Sequence, residues 1–398
     1  MVYPASGAVT RGKNIATPVA MPGPLSDLTV IDLSRVLAGP YATMVLADLG
    51  ARVIKVENPK GGDDARAYGP FIRGHSAYFA SINRGKQSIA LDLKSPDDRL
   101  VFEALLEKAD VLVDNYRPGV MARLGYGWEV LAARYPRLIH AATSGFGQTG
   151  PDSQKAAYDM VVQAMGGIMS VTGHPGGPPT RVGTSVGDIT AGLFTVIGIM
   201  TALHDRDRTG KGQFVDVAML DGQIAILENA IARYAATGQS PGPLGARHPS
   251  ITPFAAYQCA DAPMVIAAGN DQLFEALRKA LGLPTDPRFA SNDARTTHAE
   301  ELSTALEAVL QTQPVAHWLP RLEAAGVPCG PLNNIGQALA NPQVKARNMV
   351  VHTALPDGTP LIAAGNPIKL SAHADPATRA PAPDLDADRA AILKELGL

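Results

Sequence analysis

From Met160 to Gly187 the chain carries no aspartate or glutamate, and inside that span lies SVTGHPGGPPTRVG, residues 170–183, set between two long apolar segments. Asp159 and Asp188 stand at its two borders, and His174 and Arg181 are the ionisable side chains within it. A run so rich in glycine and proline holds neither helix nor ladder, and its glycines let backbone amides come close to a bound group. A carboxylate or imidazole beside such a loop suits nucleophilic attack or proton transfer. A guanidinium offers a carboxylate a bidentate match.

Such groups need a scaffold, and the alternation of apolar runs shows what kind. LTVIDLS (28–34) reads as a buried strand, YATMVLADLG as a helix ended by Gly50, and RVIKVE (52–57) as the next strand. QSIALDL, a helix from Ser95 with Asp97 and Asp98 in its first turn, and DVLVDN repeat the unit; RLIHAATSG adds a strand. This βαβ alternation predicts an α/β fold, a parallel sheet with helices on both faces. The first turn, SRVLAGP (34–40), lacks the glycine fingerprint that brings amides to a pyrophosphate, which argues against a nicotinamide dinucleotide.

A helical block is expected from about 188 to 237, opening with Asp188 at an N-cap. SITPFAAYQCADAPMVIAAGND (250–271) reads as a short antiparallel pair followed by the helix QLFEALRKALG. After it, 341–370 returns to strand-like segments, and ADRAAILKELGL closes the chain as an amphipathic helix. The simplest division is an N-terminal extension (1–24), a large domain (25–237), a small domain with linkers (238–335) and a return to the large domain (336–398).

With 398 residues, 46% hydrophobic and 18% charged, the chain is long enough for two well-buried cores. A net charge of −2 offers no basic excess for nucleic acid. Cys259 and Cys329 fall in no metal or redox spacing and read as ordinary thiols in a reducing compartment; no metal site is expected. Residues 1–25 contain no continuous apolar stretch of signal type, and AGLFTVIGIMTAL (191–203) is too short to span a bilayer, so a cytoplasmic protein without membrane contact is expected. Trp128 is expected to be a core aromatic rather than a stacking platform.

In order and spacing, VIDLSRVLAGPYATMVLADLGARVIKVE, INRGKQSIALDLK, LVDNYRPGVMARLG, SGFGQTGP, TGKGQFVDVAML, GNDQLF and AGVPCGPLNN resemble the class III CoA-transferases. That family includes formyl-CoA:oxalate, carnitine and succinyl-CoA:glutarate transferases and the related α-methylacyl-CoA racemases. The resemblance runs from about Leu25 to the C-terminus. It implies a Rossmann-like large domain interrupted by a smaller α+β domain, and a homodimer of interlocked, ring-like subunits. It also implies coenzyme A as substrate. Val36, Leu37 and Ala38 would face its nucleotide and pantetheine, and Leu91 and Lys94 its adenine. Asn115, Tyr116, Arg117 and Arg123 match further CoA contacts, while Ser144, Gly145, Phe146 and Gly147 match the turn near the pantetheine end.

The resemblance implies, too, an aspartate that attacks the acyl-CoA thioester to give a mixed anhydride and then an aspartyl-CoA thioester, which the acceptor acid resolves. Read by eye, that aspartate falls just before GPP, where this chain has Gly176. Three alternatives follow: Asp159 or Asp188 supplies the carboxylate, His174 acts as a base, or the chain binds acyl-CoA without turning it over. In the racemase branch a histidine precedes an aspartate in the segment corresponding to YDMV; here the position is Tyr158, and its Asp partner matches Asp188. Leu37 replaces the glutamine of the formyl-CoA enzymes, which points away from oxalate or formate, and HPSITPF and GPLNN look closest to the succinyl-CoA:glutarate type. The expected reaction is CoA transfer from a small, succinyl-CoA-like thioester to a carboxylic acid, a dicarboxylate first, with Arg181 available to its distal carboxylate.

Overall fold

The computed structural model describes residues 23–398, so most of the expected N-terminal extension lies outside the described residues. Six strands form one sheet: β1 (Thr29–Asp32), β2 (Arg52–Glu57), β3 (Gln87–Ala90), β4 (Val111–Asp114), β5 (Ile139–Ser144) and β6 (Phe214–Ala218). Their spatial order is β3-β2-β1-β4-β5-β6, and every neighbouring pair is parallel. The pleat sends Val30, Val53, Val111 and Ile139 to one face and Ile31, Ile54, Ile89 and Leu112 to the other. Both faces are apolar, and helices cover both, as the alternation predicted.

On the first face lie α1 (Ala38–Asp48) and the long helix α4 (Val186–Thr209); on the second lies α2 (Pro96–Lys108), and the short α3 (Asp159–Met165) packs against the start of α4. By length and composition α4 is long and apolar enough to cross a membrane, but here Ala191, Thr195, Ile199 and Ala202 are buried against α1 and the sheet. Gly192 makes the α1 contact: a Cβ there would stand 2.8 Å from the Ala38 carbonyl oxygen.

Two local expectations are corrected. The segment 188–237 is not wholly helical, because Phe214–Ala218 pairs with Ile139–Ser144 as the sixth strand. Asp188 is not an N-cap: α4 begins at Val186, Ser185 takes the cap position, and Asp188 sits inside the first turn.

A separate core is built on β7 (Phe254–Gln258), β8 (Pro263–Ala267) and β9 (Cys329–Pro331), an antiparallel sheet in the order β9-β8-β7. The expected pair therefore gains a third strand. Helices α5 (Asp271–Leu281), α6 (Ala299–Leu310) and α7 (Val315–Ala324) close it with Leu277, Leu306 and Leu322. Arg295, fully buried, donates to the carbonyls of Thr252 (2.7 Å) and Phe289 (3.1 Å) and to Asp271 (2.6 Å). Cys259 and Cys329 are free thiols.

The chain then forms the hairpin β10 (Val350–Ala354)–β11 (Pro360–Ala364) and returns to the large sheet, ending in α8 (Arg389–Leu396) on its second face. On the way it covers the outer edge of β3. Ser88 N–H donates to the Asp388 carboxylate (2.8 Å), Ala90 N–H to that of Asp386 (2.7 Å), and Arg389 donates to the Ala90 carbonyl (2.6 Å). An edge strand's free amides are a template for stray pairing, and two carboxylates occupy them here. Removing both, Asp386→Ala with Asp388→Ala, should cost roughly 2–4 kcal/mol, since hydrogen bonds to charged groups contribute about 1.5 or more each. Denaturant melts would measure the loss, and hydrogen exchange should quicken at the Ser88 and Ala90 amides; unchanged exchange there would refute the edge-capping role.

Candidate active site

The strand order reverses direction between β1 and β4, and a cavity of about 720 Å³ opens at the carboxyl ends of the strands there. Ligands of open α/β sheets bind at such a switch point. The turn after β1 forms one wall and is held at each residue. Asp32 accepts from the Ser34 N–H (2.9 Å) and hydroxyl, and Lys55 donates to the Ser34 carbonyl (2.7 Å). Asn115 brackets Arg35, accepting from its N–H (2.8 Å) and donating to its carbonyl (2.7 Å). Asp63 accepts from the Val36 N–H (2.9 Å). Val36 stands at φ 65°, a left-handed conformation that is costly for a β-branched residue.

Behind this turn lies a network of buried charges. Lys86 contacts Asp32 at 3.0 Å and Lys55 contacts Asp63 at 2.9 Å, all four side chains being out of solvent. Burial alone would raise the Asp32 carboxyl, but Lys86 and Lys55 hold it well below the ordinary range. Burial pushes the Lys86 ammonium down to about 8, with Asp32 opposing.

Of the positions matched to CoA contacts, Val36, Leu37, Ala38, Asn115, Tyr116, Arg117, Ser144 and Gly145 line the cavity. Burial pushes the Tyr116 hydroxyl up to about 12. The others do not line it. Leu91 is buried in the core on the second face of the sheet, Lys94 and Arg123 are exposed outside the cavity, and Phe146 packs against Val162, Ala191 and Met219. Gly147, at φ 81°, donates its N–H to the Ser144 hydroxyl (3.0 Å). At the rim, the exposed Arg35, Lys60, Arg117 and Lys155 bring positive charge to a chain with no net excess of it.

Asp188 and Asp159 have different surroundings. Asp188 is half-buried and lines the cavity, and among the described residues no donor bonds its side chain. Burial, followed by the charge of Asp159, pushes its carboxyl up to about 7. Although Asp188 stands in the first turn of α4, the neighbouring Gly187 N–H donates to Asp159 instead. Asp159 is buried and does not line the cavity. His174 and Gly176 lie on the exposed loop, away from the cavity; Gly176 stands at φ 72°, and a Cβ there would meet nothing within 4 Å. Arg181 lies 3.6 Å from the Asp159 carboxylate.

The sequence pattern of the family described as CoA-transferase family III matches residues 25–389. The chain belongs to that family. It is 50% identical over 383 residues to the acetyl-CoA:oxalate CoA-transferase of Acetobacter aceti, covering 95% of this chain and 97% of the relative. To the succinate–glutarate CoA-transferase of Agrobacterium fabrum it is 41% identical, covering 94% and 96%. The crystal structure of a CAIB/BAIF family protein from Brucella suis superposes with a TM-score of 0.84 at 39% identity, over 94% of this chain and all of that one.

For a family III CoA-transferase, the sequence reading overlooked Lys55, Asp63, Lys60 and Lys155. Lys60 had a signal, since NPKGGD follows a strand whose carboxyl end faces the switch point. Lys55 had none, because a lysine inside an apolar strand reads as an interruption until its partners are known.

The free Asp188 carboxylate carries a stability cost whose sign follows from its raised value. Between its ordinary value of 3.8 and about 7, the folded chain keeps a proton that the unfolded chain has lost. Stability is therefore lost as pH rises through that window. Asp188→Asn should match the parent near pH 4 and exceed it by on the order of 3 kcal/mol at pH 8. Denaturation at the two pH values tests this, and equal gains at both would contradict it.

Proposed function

We propose that the protein transfers CoA from a small acyl-CoA to a dicarboxylic acid, with Asp188 as nucleophile. The observation that carries this reading is a half-buried carboxylate facing the cavity, without a hydrogen-bond donor among the described residues and titrating near neutrality. An ionised Asp188 oxygen attacks the thioester carbonyl carbon, and the CoA thiolate leaves as an anhydride forms. The thiolate then attacks the aspartyl carbonyl, releasing the donor acid and leaving an aspartyl-CoA thioester. The acceptor carboxylate attacks that carbonyl in turn, and the expelled thiolate takes the new acyl group, which regenerates Asp188. Nothing is consumed besides the two substrates, and one difficult exchange becomes several easier ones.

The basic rim suits the phosphates of CoA, and the wall from Leu37 to Ala38 suits its apolar arm. For the acid, relatives named for oxalate and for glutarate support a dicarboxylate. The first of them weakens the inference from Leu37 against oxalate. Asp188 replaces the Gly176 position as the proposed nucleophile, because the loop carrying Gly176 lies off the cavity. Among the described residues lining the cavity there is no histidine, which disfavours both the racemase reading and His174 as a base.

A cytoplasmic homodimer of interlocked subunits completes the proposal. For self-association the physical support is the outer face of α4, where Leu193, Ile197 and Met200 are exposed. Sedimentation should give twice 41.6 kDa.

Incubation with succinyl-CoA or acetyl-CoA and a panel of oxalate, succinate and glutarate, read by mass spectrometry, should show turnover and a CoA adduct on the peptide bearing Asp188. Asp188→Ala should abolish both, Gly176→Asp should leave the rate unchanged, and kcat/KM should rise with pH to a plateau above about 7. Turnover by Asp188→Ala, or no exchange with any acid of the panel, would overturn the assignment.

A further inference from the structure

The first turn of α4 is fastened from outside the cavity. Asp159, only 8% exposed, accepts the Gly187 N–H through Oδ1 (2.8 Å) and the Gln163 side-chain amide through Oδ2 (2.7 Å). Gln163 in turn accepts the Val182 N–H (2.9 Å), which ties the glycine-proline loop to the same point. A Cβ at Gly187 would stand 2.7 Å from Val162 Cγ2 and 3.0 Å from Asp159 Oδ1, so α3 and α4 meet there as closely as backbone allows. The next residue is Asp188.

We propose that Asp159 is a positioning residue for the transfer reaction: through the Gly187 peptide it fixes the turn that carries Asp188, and its buried charge sets how readily that carboxylate attacks. The inference rests on Asp188 being the nucleophile. Asp159 is itself unsuited to attack, since both of its oxygens are engaged and neither reaches the cavity. Around the start of α4 the ionisable groups include Asp159 on α3 and Tyr158 just ahead of it, Tyr41 on α1, Arg181 on the loop, Tyr78 on the helix Ala77–Asn83, Asp216 on β6 and Asp221 on the helix Met219–Ala225. Only Asp159 adds to burial in raising the Asp188 carboxyl. A more basic carboxylate is a stronger nucleophile once ionised, and a value near the working pH leaves much of it ionised.

The test compares pH profiles of kcat/KM for CoA transfer. Asp159→Asn keeps an acceptor for the Gly187 N–H and removes the charge; it should move the rising limb to lower pH by about half a unit or more and lower the plateau kcat several-fold. Gln163→Met removes one of the Asp159 hydrogen bonds but keeps the charge, and should leave the limb in place. Asp159→Ser, smaller and equally uncharged, serves as a second variant where the asparagine amide crowds Gln163. Limbs at the parental pH in the folded uncharged variants, or an equal shift in Gln163→Met, would overturn the inference. Activity surviving in Asp188→Ala would instead sink the nucleophile assignment on which it rests.

Discussion

The two buried lysine–aspartate pairs behind the first strand are the constraint on which the site depends. Taking four charges out of water costs several kcal/mol per ion, and such pairs add little net stability over apolar packing. What they supply here is a fixed conformation. Asp32 and Lys55 hold Ser34, and Asp63, itself held by Lys55, bonds the N–H of a valine at positive φ. An apolar core could fill the same volume, but it has no directional groups with which to hold a left-handed valine. The cavity wall from Ser34 to Ala38 thus owes its shape to charges that are themselves out of solvent, two of which, Lys55 and Asp63, border the cavity.

The wall and the nucleophile are coupled through one helix contact. Gly192 lets α4 close on the Ala38 carbonyl at the start of α1, and Asp188 lies one turn earlier on the same helix. The start of α1 and the carboxylate are thereby held in a single rigid unit, which a transfer step needs if the thioester is to be approached from a fixed direction. Burying a carboxylate without a donor is unfavourable for folding, and that same lack of donors keeps it reactive.

Much of the scaffold was legible because buried parallel strands are continuous apolar runs: 52–57 matches β2 to the residue, and the helix after Ser95 begins where its two aspartates placed it. The sixth strand was overlooked because QFVDVAML runs directly into a helix and carries the exposed Asp216, whose carboxylate accepts the Gln148 N–H (3.0 Å). The strand Cys329–Pro331 was hidden by its glycine and proline, which read as a turn. In the site, the turns after β1, β4 and β5 stood out by their composition, whereas Asp63 acts through tertiary partners in a segment that reads only as a polar loop. Gly176 misled because a glycine-proline pattern was read as the position of chemistry. Asp188, twelve positions on, was set aside as a helix cap, and its lack of a partner is visible only once Asp159 is seen to hold the Gly187 amide.

That arrangement also accounts for the acid-free span between the two aspartates. The loop returns to α3 through the Gln163–Val182 bond and to the segment ahead of β7 through the Gly245 N–H, which donates to the Gly173 carbonyl (2.8 Å). Its Val182 end is therefore anchored to the glutamine that also bonds Asp159, while Gly176 stays exposed and away from the cavity. Like charges on neighbouring carboxylates raise one another's proton affinity, so a further aspartate or glutamate at the anchored end of the loop, beside Val182 rather than at the exposed Gly176, would drive Asp188 toward the protonated form, which cannot attack a thioester. With the span from Met160 to Gly187 free of acids, the field at Asp188 is governed by burial and by the single charge of Asp159, a combination that leaves the carboxyl near neutrality. The lack of acids immediately before Asp188 thus suits a carboxyl that must ionise near neutrality.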